Sequence, residues 1–281
     1  MKRREFLVLA AAGAAASSVR AQSGADLEPF SFCVIADPHG SEAAKPELER
    51  YGTAADKFMR CFGVMAEMKG GDAPDFCLVA GDIQLDGLKD RLKDVSTPLH
   101  MVAGNHESTP EKRQMLRNAF PGDFKKDGKE SDYYSFIHKG VRFIAVCDAG
   151  AGGEHVGQFC SENIRPSGQC EWLEGELSAR EPVKILFAHI PPERGGGDQN
   201  MFMSRNDSRW FNRLIAETRP SACFFGHLHQ PTLEYRIGDT RMFQVRSCCW
   251  NFNREPVGFL HVSVAAGGVL TVRDIETGRC L

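Results

Sequence analysis

Leu99-His100-Met101-Val102-Ala103-Gly104-Asn105-His106-Glu107 sets an apolar run directly before a glycine, an amide, an imidazole and a carboxylate. The run has the length and composition of a buried strand. Polar groups massed where such a strand ends mark the place at which open α/β sheets form their clefts. One tetrapeptide decides little, so its weight depends on whether other strands end in the same way.

Four more do. Phe30–Ala36 ends at Asp37-Pro38-His39-Gly40, and Asp75–Ala80 ends at Gly81-Asp82. Val183–Ala188 ends at His189, and Ser221–Phe225 at Gly226-His227-Leu228-His229. Helical patterns fall between them. Residues 53–69 carry Phe58, Phe62, Met65 and Met68 at helical spacing, with Gly70-Gly71 as the stop. A short helix is expected after Asp82, another over 110–119 with Pro110 at its start, and a third over 169–180. Asp207 is placed as the cap of a helix running to Arg219. Tyr133–His138, Lys139-Gly140 and Val141–Cys147 read as a hairpin with a two-residue turn. Alternation over 233–237, 241–245, 259–264 and 269–275 adds strands joined by turns such as Gly238-Asp239 and Gly267-Gly268. The glycine-rich stretches 149–168 and 193–206 read as insertions. The pattern is α/β, and residues 22–281 read as one domain.

The 281 residues are 42% hydrophobic and 25% charged, an ordinary globular composition. A net charge of −3 excludes a polybasic surface, so no specific nucleic-acid partner is expected. Lys2-Arg3-Arg4-Glu5-Phe6-Leu7, the apolar segment Phe6–Ala16 and Val19-Arg20-Ala21 resemble a bacterial twin-arginine export signal cleaved after Ala21. The expectation is a periplasmic or extracellular protein that meets the twin-arginine machinery already folded, with its metal in place. The apolar segment is too short to span about 30 Å of hydrocarbon, and no Cys precedes Cys33, so no membrane anchor is expected. Without residues 1–21 the balance becomes 30 basic against 36 acidic side chains, or −6. Metal cations in a site would offset that excess toward an anionic substrate.

Ten cysteines in an exported chain raise the question of disulfides. Cys33, Cys77, Cys147 and Cys223 lie in apolar runs and read as core residues. Cys160 and Cys170 flank a polar loop and are the better disulfide candidates, and Cys280 is a possible partner for Cys248 or Cys249. No CxxC pair occurs, which argues against a thiolate zinc site.

Five of the nine histidines sit at strand ends, whereas His100, His138, His155 and His261 read as packing or surface residues. Asp37 with His39, and His227 with His229, share an i, i+2 spacing that lets both side chains turn toward one ion. Imidazole and carboxylate donors without thiolate suit Mn, Fe or Zn. Asp37, His39, Asp82, Asn105, His189, His227 and His229 are too many ligands for one tetrahedral site. Two ions roughly 3.5–4 Å apart, sharing a carboxylate, would use them all.

Asp37-Pro38-His39, Gly81-Asp82, Gly104-Asn105-His106-Glu107, His189 and Gly226-His227-Leu228-His229 resemble, in order, the five motifs of the calcineurin-like metallophosphoesterases. The resemblance implies a four-layer α/β/β/α sandwich with two mixed sheets flanked by helices. It implies that Asp37, His39 and His229 hold one metal, that Asn105, His189 and His227 hold the other, and that Asp82 bridges them. His106 is then the catalytic group that contacts the scissile phosphate and protonates the leaving oxygen. Two features depart from branches of the family. Leu85 stands where purple acid phosphatases carry a tyrosine ligand, so no purple iron site is expected. The C-terminal substrate domain of the 5′-nucleotidase branch is not expected either.

The implied activity is hydrolysis of a small phosphomonoester or phosphodiester by a hydroxide activated at a dinuclear metal centre. The alternative is a non-catalytic metal-binding or scaffold member of the same fold. Glu107 is left between orienting a neighbour and starting a helix. Arg194 and Arg205 are left between substrate contact and solvated charge. The two insertions are expected to rim the site and set monoesterase against diesterase preference.

Overall fold

A computed structural model describes residues 27–41, 50–149, 154–195 and 199–279. The expected export signal and Cys280 lie outside these residues. One sheet is built from β1 (Phe30–Ile35), β2 (Cys77–Ala80), β3 (Leu99–Val102), β12 (Val257–Val264) and β13 (Leu270–Gly278), in the order β13-β12-β1-β2-β3. The other contains β6 (Tyr134–His138), β7 (Val141–Ala145), β8 (Val183–Phe187), β9 (Ala222–Phe225), β10 (Leu233–Ile237) and β11 (Thr240–Gln244), in the order β10-β11-β9-β8-β7-β6. A small ribbon, β4 (Lys125–Lys126) with β5 (Lys129–Glu130), stands apart. Four helices complete the chain: α1 (Ala54–Glu67), α2 (Pro110–Ala119), α3 (Gln169–Leu177) and α4 (Arg205–Thr218).

Both sheets are mixed, and each contains a block of parallel strands. β1, β2 and β3 run parallel, with Cys33 opposite Cys77 and Val79 opposite Met101. β7, β8, β9 and β11 also run parallel, with antiparallel β6 and β10 at the edges. Strands that run parallel end at the same edge of their sheet. That shared edge gathers the chemistry.

Side-chain alternation assigns each strand residue to a layer. Phe143, Ile185, Phe187, Phe224 and Phe243 turn into the core shared with β1 and β2. Their neighbours Ile144, Leu186, Cys223, Phe225 and Met242 join a second core with Leu173 and Leu177 of α3 and Phe211, Leu214 and Ile215 of α4. Phe32 of β1 meets Phe143 edge-on at 5.2 Å and Phe224 at 6.2 Å, which fixes sheet against sheet. Full burial of such a ring contributes about 1.5–3 kcal/mol. On the other flank α1 packs against β12 and β13 through the face bearing Phe58, Cys61, Phe62 and Met65. The result is the expected pair of mixed sheets between helices.

Local chemistry explains where the elements begin and end. Thr53 caps α1 in a reciprocal box with Asp56, and Thr109 caps α2, whose first residue is Pro110. In the hairpin, Lys139 at φ 46° and Gly140 at φ 81° supply the two left-handed residues that its two-residue turn requires.

Several boundaries differ from expectation. Ser204, not Asp207, caps α4: its hydroxyl accepts the Asp207 N–H at 3.2 Å and donates to the Asp207 carboxylate at 2.7 Å. α1 ends at an extended Met68, and Gly70–Asp72 form a separate 3-10 turn rather than the stop. The short helix after Asp82 is two 3-10 turns, Leu85–Gly87 and Arg91–Asp94. Cys160 and Cys170 form a disulfide. Cys33, Cys77, Cys147 and Cys223 are buried, as are Cys248 and Cys249. No helix among the described residues is long and apolar enough to cross a membrane.

Candidate metal centre

β1, β2 and β3 end at the rim of one sheet, β8 and β9 at the rim of the other, and short backbone bonds tie the loops within each rim. The His39 N–H donates to the Asp82 carbonyl at 2.9 Å, and the Gly226 N–H donates to the His189 carbonyl at 3.0 Å. After β11, Ser247 bridges Ala36, and the Cys248 N–H donates to the Ala36 carbonyl at 3.0 Å.

Three of these loops share one backbone shape. Asp37 and His39 have φ of 52° and 49°, Asp82 and Gln84 51° and 48°, His227 and His229 74° and 48°. Left-handed backbone costs a non-glycine residue about 1–2 kcal/mol and persists where surroundings enforce it. Glycines supply the room. A Cβ on Gly104 would lie 2.1 Å from Asp82 Oδ1, so this glycine admits a neighbouring carboxylate; its φ of −99° shows that no tight turn demands it. A Cβ on Gly81, at φ +81°, would lie 2.4 Å from His189 Nδ1.

The seven residues expected as ligands converge and are buried. Donor atoms of Asp37, His39 and His229 fall within 4.8 Å of one another, as do those of Asp82, His189 and His227 and, between these two trios, those of His39, Asp82 and His106. His39 Nε2 lies 2.9 Å from His229 Nε2, and Asp37 Oδ1 lies 3.6 Å from the latter. On the other side His189 Nε2 lies 3.0 Å from Asn105 Oδ1 and 3.2 Å from His227 Nδ1. Asp82 Oδ2 stands between the groups, 3.6 Å from His39 Nε2 and 3.2 Å from His189 Nε2. Its Oδ1 accepts the His106 N–H at 3.0 Å, which fixes the carboxylate's orientation.

Backbone carbonyls settle two tautomers, because a carbonyl only accepts. His189 Nδ1 donates to Ala80 O at 2.8 Å, and His229 Nδ1 donates to Trp250 O at 2.7 Å. In the neutral rings Nε2 is then a lone pair directed at other acceptors: a carboxylate, an amide oxygen, another imidazole nitrogen. His227 Nε2 is buried without a hydrogen-bond partner among the described residues. Acceptors crowded face to face, out of water, fit cations placed among them.

Electrostatics reinforce this. Burial pushes the Asp37 carboxyl up to about 8, opposed by the positive field of His189. Burial acts in the same sense on Asp82, yet the charge and hydrogen bond of His189, with His39 and His106, hold it well below the usual carboxylate range. For His189 burial works downward, but Asp82 outweighs it and raises the imidazole to about 10. Burial, with the neighbouring histidines, lowers His227 well below its ordinary value and His229 to about 3. A proton between Asp82 and His189 occupies the place a cation would take.

His106 is more open than the seven. Its side chain is 36% exposed, Nε2 lies 3.9 Å from Asp82 Oδ2, and the ring stands edge-on to His39 at 4.8 Å. Glu107 is resolved as neither of its two expected roles alone: it accepts the N–H of Gly104 at 3.0 Å and of Gln84 at 2.8 Å, tying the second loop to the third. Burial pushes its carboxyl up to about 7.

Sequence reasoning missed four residues. The Gln84 amide lies 2.6 Å from His106 Nδ1 and 3.3 Å from His39 Nδ1. A signal was present: Asp82-x-Gln84 repeats the i, i+2 spacing of Asp37-x-His39 and His227-x-His229. Asp148 is buried behind His189 and accepts the N–H of His189 at 3.3 Å and of Ile190 at 2.9 Å. Trp250 stacks on His229 at 3.8 Å. His155, read as packing or surface, is exposed but lies 5.4 Å from the His227 ring.

The other histidines are structural. His100 pairs with Asp123 at 2.8 Å, His138 with Asp75 at 2.7 Å, and His261 bonds Asp72 O at 2.8 Å. Arg194 lies over Phe202 and Tyr235, and Arg205 is exposed. The described parts of the two insertions pair with each other through Gly157 and Met203.

Known proteins resemble this chain. A model of the calcineurin-like phosphoesterase family matches residues 30–231. Human sphingomyelin phosphodiesterase is 30% identical over 166 residues, 49% of this chain and 24% of that protein. A cAMP/cGMP dual specificity phosphodiesterase of Mycobacterium tuberculosis is 28% identical over 182 residues, 60% of this chain and 53% of that protein. The chain thus spans only part of the length of these relatives. A dimetal phosphatase from Danio rerio shares the fold with a TM-score of 0.62 at 17% identity, covering 89% of this chain and 97% of that one. The family match spans the strand ends that carry the seven buried donors, and the chain belongs to the calcineurin-like phosphoesterase family.

Proposed function

We propose that the protein is an exported, metal-dependent phosphoesterase that hydrolyses small phosphomonoesters or phosphodiesters. The observation that carries the reading is the crowding of acceptors into two trios joined by Asp82. Asp37, His39 and His229 would hold one ion, Asn105, His189 and His227 the other, with Asp82 shared. Mn, Fe or Zn matches this donor set. Such a pair of ions supplies Lewis acidity and lowers the pKa of an attacking water.

The chain's own residues do the rest. Loops held in left-handed backbone keep the donors in place before substrate arrives, so little reorganisation remains for the reaction. His106 offers Nε2 toward the reacting phosphorus, because Gln84 occupies its Nδ1. In the step proposed, a water oxygen forms the new P–O bond and loses a proton to solvent. The bond to the alcohol oxygen breaks, its electron pair stays on that oxygen, and the His106 Nε2 proton neutralises it. Such general acid catalysis contributes about 10²–10⁴-fold.

Export rests on the twin-arginine segment at residues 2–7. Replacing Arg3 and Arg4 by Lys should retain the protein in the cytoplasm of a bacterial host; unchanged export would remove this part of the reading. For the chemistry, metal-depleted protein is assayed on p-nitrophenyl phosphate and bis-p-nitrophenyl phosphate, then again after Mn²⁺ addition. Activity should vanish and return. Protein that binds no metal, or that hydrolyses neither ester when loaded, would overturn the proposal in favour of a scaffold.

A further inference from the structure

A cavity of about 280 Å³ opens beside His106, between the 3-10 turn Leu85–Gly87 and the first turns of α2. Gln84 and His106 close its inner end, Met115 and Leu116 form an apolar wall, and Asp86 and Lys112 also line it. None of the seven buried donors lines it, and it meets the centre through His106. A volume just under the roughly 300–1,000 Å³ of complete ligand pockets makes it a subsite.

Its position follows from the hydrolytic reading above, on which this inference rests. If His106 Nε2 protonates the departing oxygen, whatever that oxygen carries lies next to the His106 ring, away from Asp82. The cavity borders the same ring. Asp86 and Lys112 are both exposed, and neither is ion-paired among the described residues. A carboxylate accepts from hydroxyls and an ammonium donates to them. Facing one cavity with opposite charges, and with the Glu107 carboxyl of the same lining already engaged by the Gln84 and Gly104 N–H groups, they suit a neutral polyol. Met115 and Leu116 suit the carbon face of a ring. We propose that the cavity binds the alcohol half of the ester and selects a ring-sized, uncharged, hydroxyl-bearing alcohol of the sugar type.

The test uses the metal-loaded full chain and three esters: ribose 5-phosphate, phenyl phosphate and ethyl phosphate. With methyl-labelled methionine, and Met115 assigned through Met115→Leu, ribose 5-phosphate should shift the Met115 resonance and ethyl phosphate should not. An unmoved Met115, or equal shifts from both, overturns the proposal even if the enzyme is active. In kinetics, Met115→Trp should lower the kcat/KM ratio of ribose 5-phosphate over ethyl phosphate about tenfold or more. Asp86→Asn and Lys112→Met, both at exposed positions, should each lower the ratio of ribose 5-phosphate over phenyl phosphate about three- to tenfold, the loss expected for an unmade hydrogen bond. Unchanged ratios overturn the selection for hydroxyls. If wild type hydrolyses none of the esters, the hydrolytic reading fails on these substrates, while the Met115 resonance still decides whether the cavity takes the ring.

Discussion

His39 Nε2 and His229 Nε2 lie 2.9 Å apart, and neutral His229 has no proton to place between them because its Nδ1 proton is given to Trp250 O. In the metal-free chain that proton belongs to His39. A cation binding there shifts that proton to His39 Nδ1 and displaces the one that burial keeps on Asp37 below about pH 8, and one at the second trio must displace the proton shared by Asp82 and His189. Metal uptake should therefore release protons, about one per ion. Calorimetric titration with Mn²⁺ in two buffers of different ionisation enthalpy reads this directly. Identical heats in both buffers would contradict it.

His106→Asn should lower kcat by about 10²–10⁴-fold while metal content stays at the wild-type level. The variant removes the proposed proton donor but leaves the seven buried metal-type side chains untouched. Metal analysis alongside steady-state kinetics separates this from collapse of the site. A variant that loses metal as well would make His106 a ligand.

Gln84 faces the Nδ1 atoms of both His39 and His106. When His39 turns Nε2 to a cation, its Nδ1 carries the proton, and the amide must present its oxygen. Gln84→Leu should weaken metal affinity by about 10–100-fold, the usual effect of losing an outer partner of a ligating histidine. Gln84→Glu keeps an acceptor and should restore most of the loss. Equal affinities for the two variants would show that Gln84 only fills space.

Gly104→Ala would drive a Cβ to 2.1 Å from Asp82 Oδ1 and 2.3 Å from the Asp82 nitrogen, both on a loop held from several sides. A destabilisation of about 1–3 kcal/mol or more is expected. Gly122→Ala, with nothing within 4 Å of its added carbon, should stay within about 0.5 kcal/mol of wild type. Urea midpoints compare them.

Asp148 gives a pH signature. Burial raises its carboxyl from 3.8 to about 7, partly opposed by the His189 charge and by backbone N–H donors. The folded chain thus holds a proton here that the unfolded chain has released. The group's contribution to stability is complete below pH 3.8 and is lost as pH rises through about 7. Metal-free Asp148→Asn should therefore lose less stability than wild type between pH 5 and pH 8. Parallel urea-unfolding profiles would contradict this.

The strand ends were legible because each announces itself locally: an apolar run stops, then a glycine or proline and a ligand-type side chain follow. Local spacing also gave the hairpin at Lys139-Gly140 and the α2 start at Pro110. What stayed hidden depends on residues distant in sequence. Trp250 follows no apolar strand and acquires meaning only by stacking on His229. Asp148 stands just before the polar stretch 149–168 with no local mark of a role, yet it holds the backbone beside His189. Ser204 lost to Asp207 as the expected cap of α4 because the two form one reciprocal motif, and an acid near a helix start fits either position.

Six residues in three loops hold left-handed backbone around the centre, and five of them are expected ligands. Such backbone relaxes if nothing fastens its side chains, so the metal-free loops should be the least protected part of an otherwise tightly packed sandwich. Loading the site is then partly a local folding reaction. Amide hydrogens at 37, 39, 82–84 and 227–229 should exchange rapidly before metal is added and slowly afterwards, while β1, β2 and β9 behind them hardly change. The cell would meet two forms of one chain, alike in their cores and different in how readily a protease finds the rim.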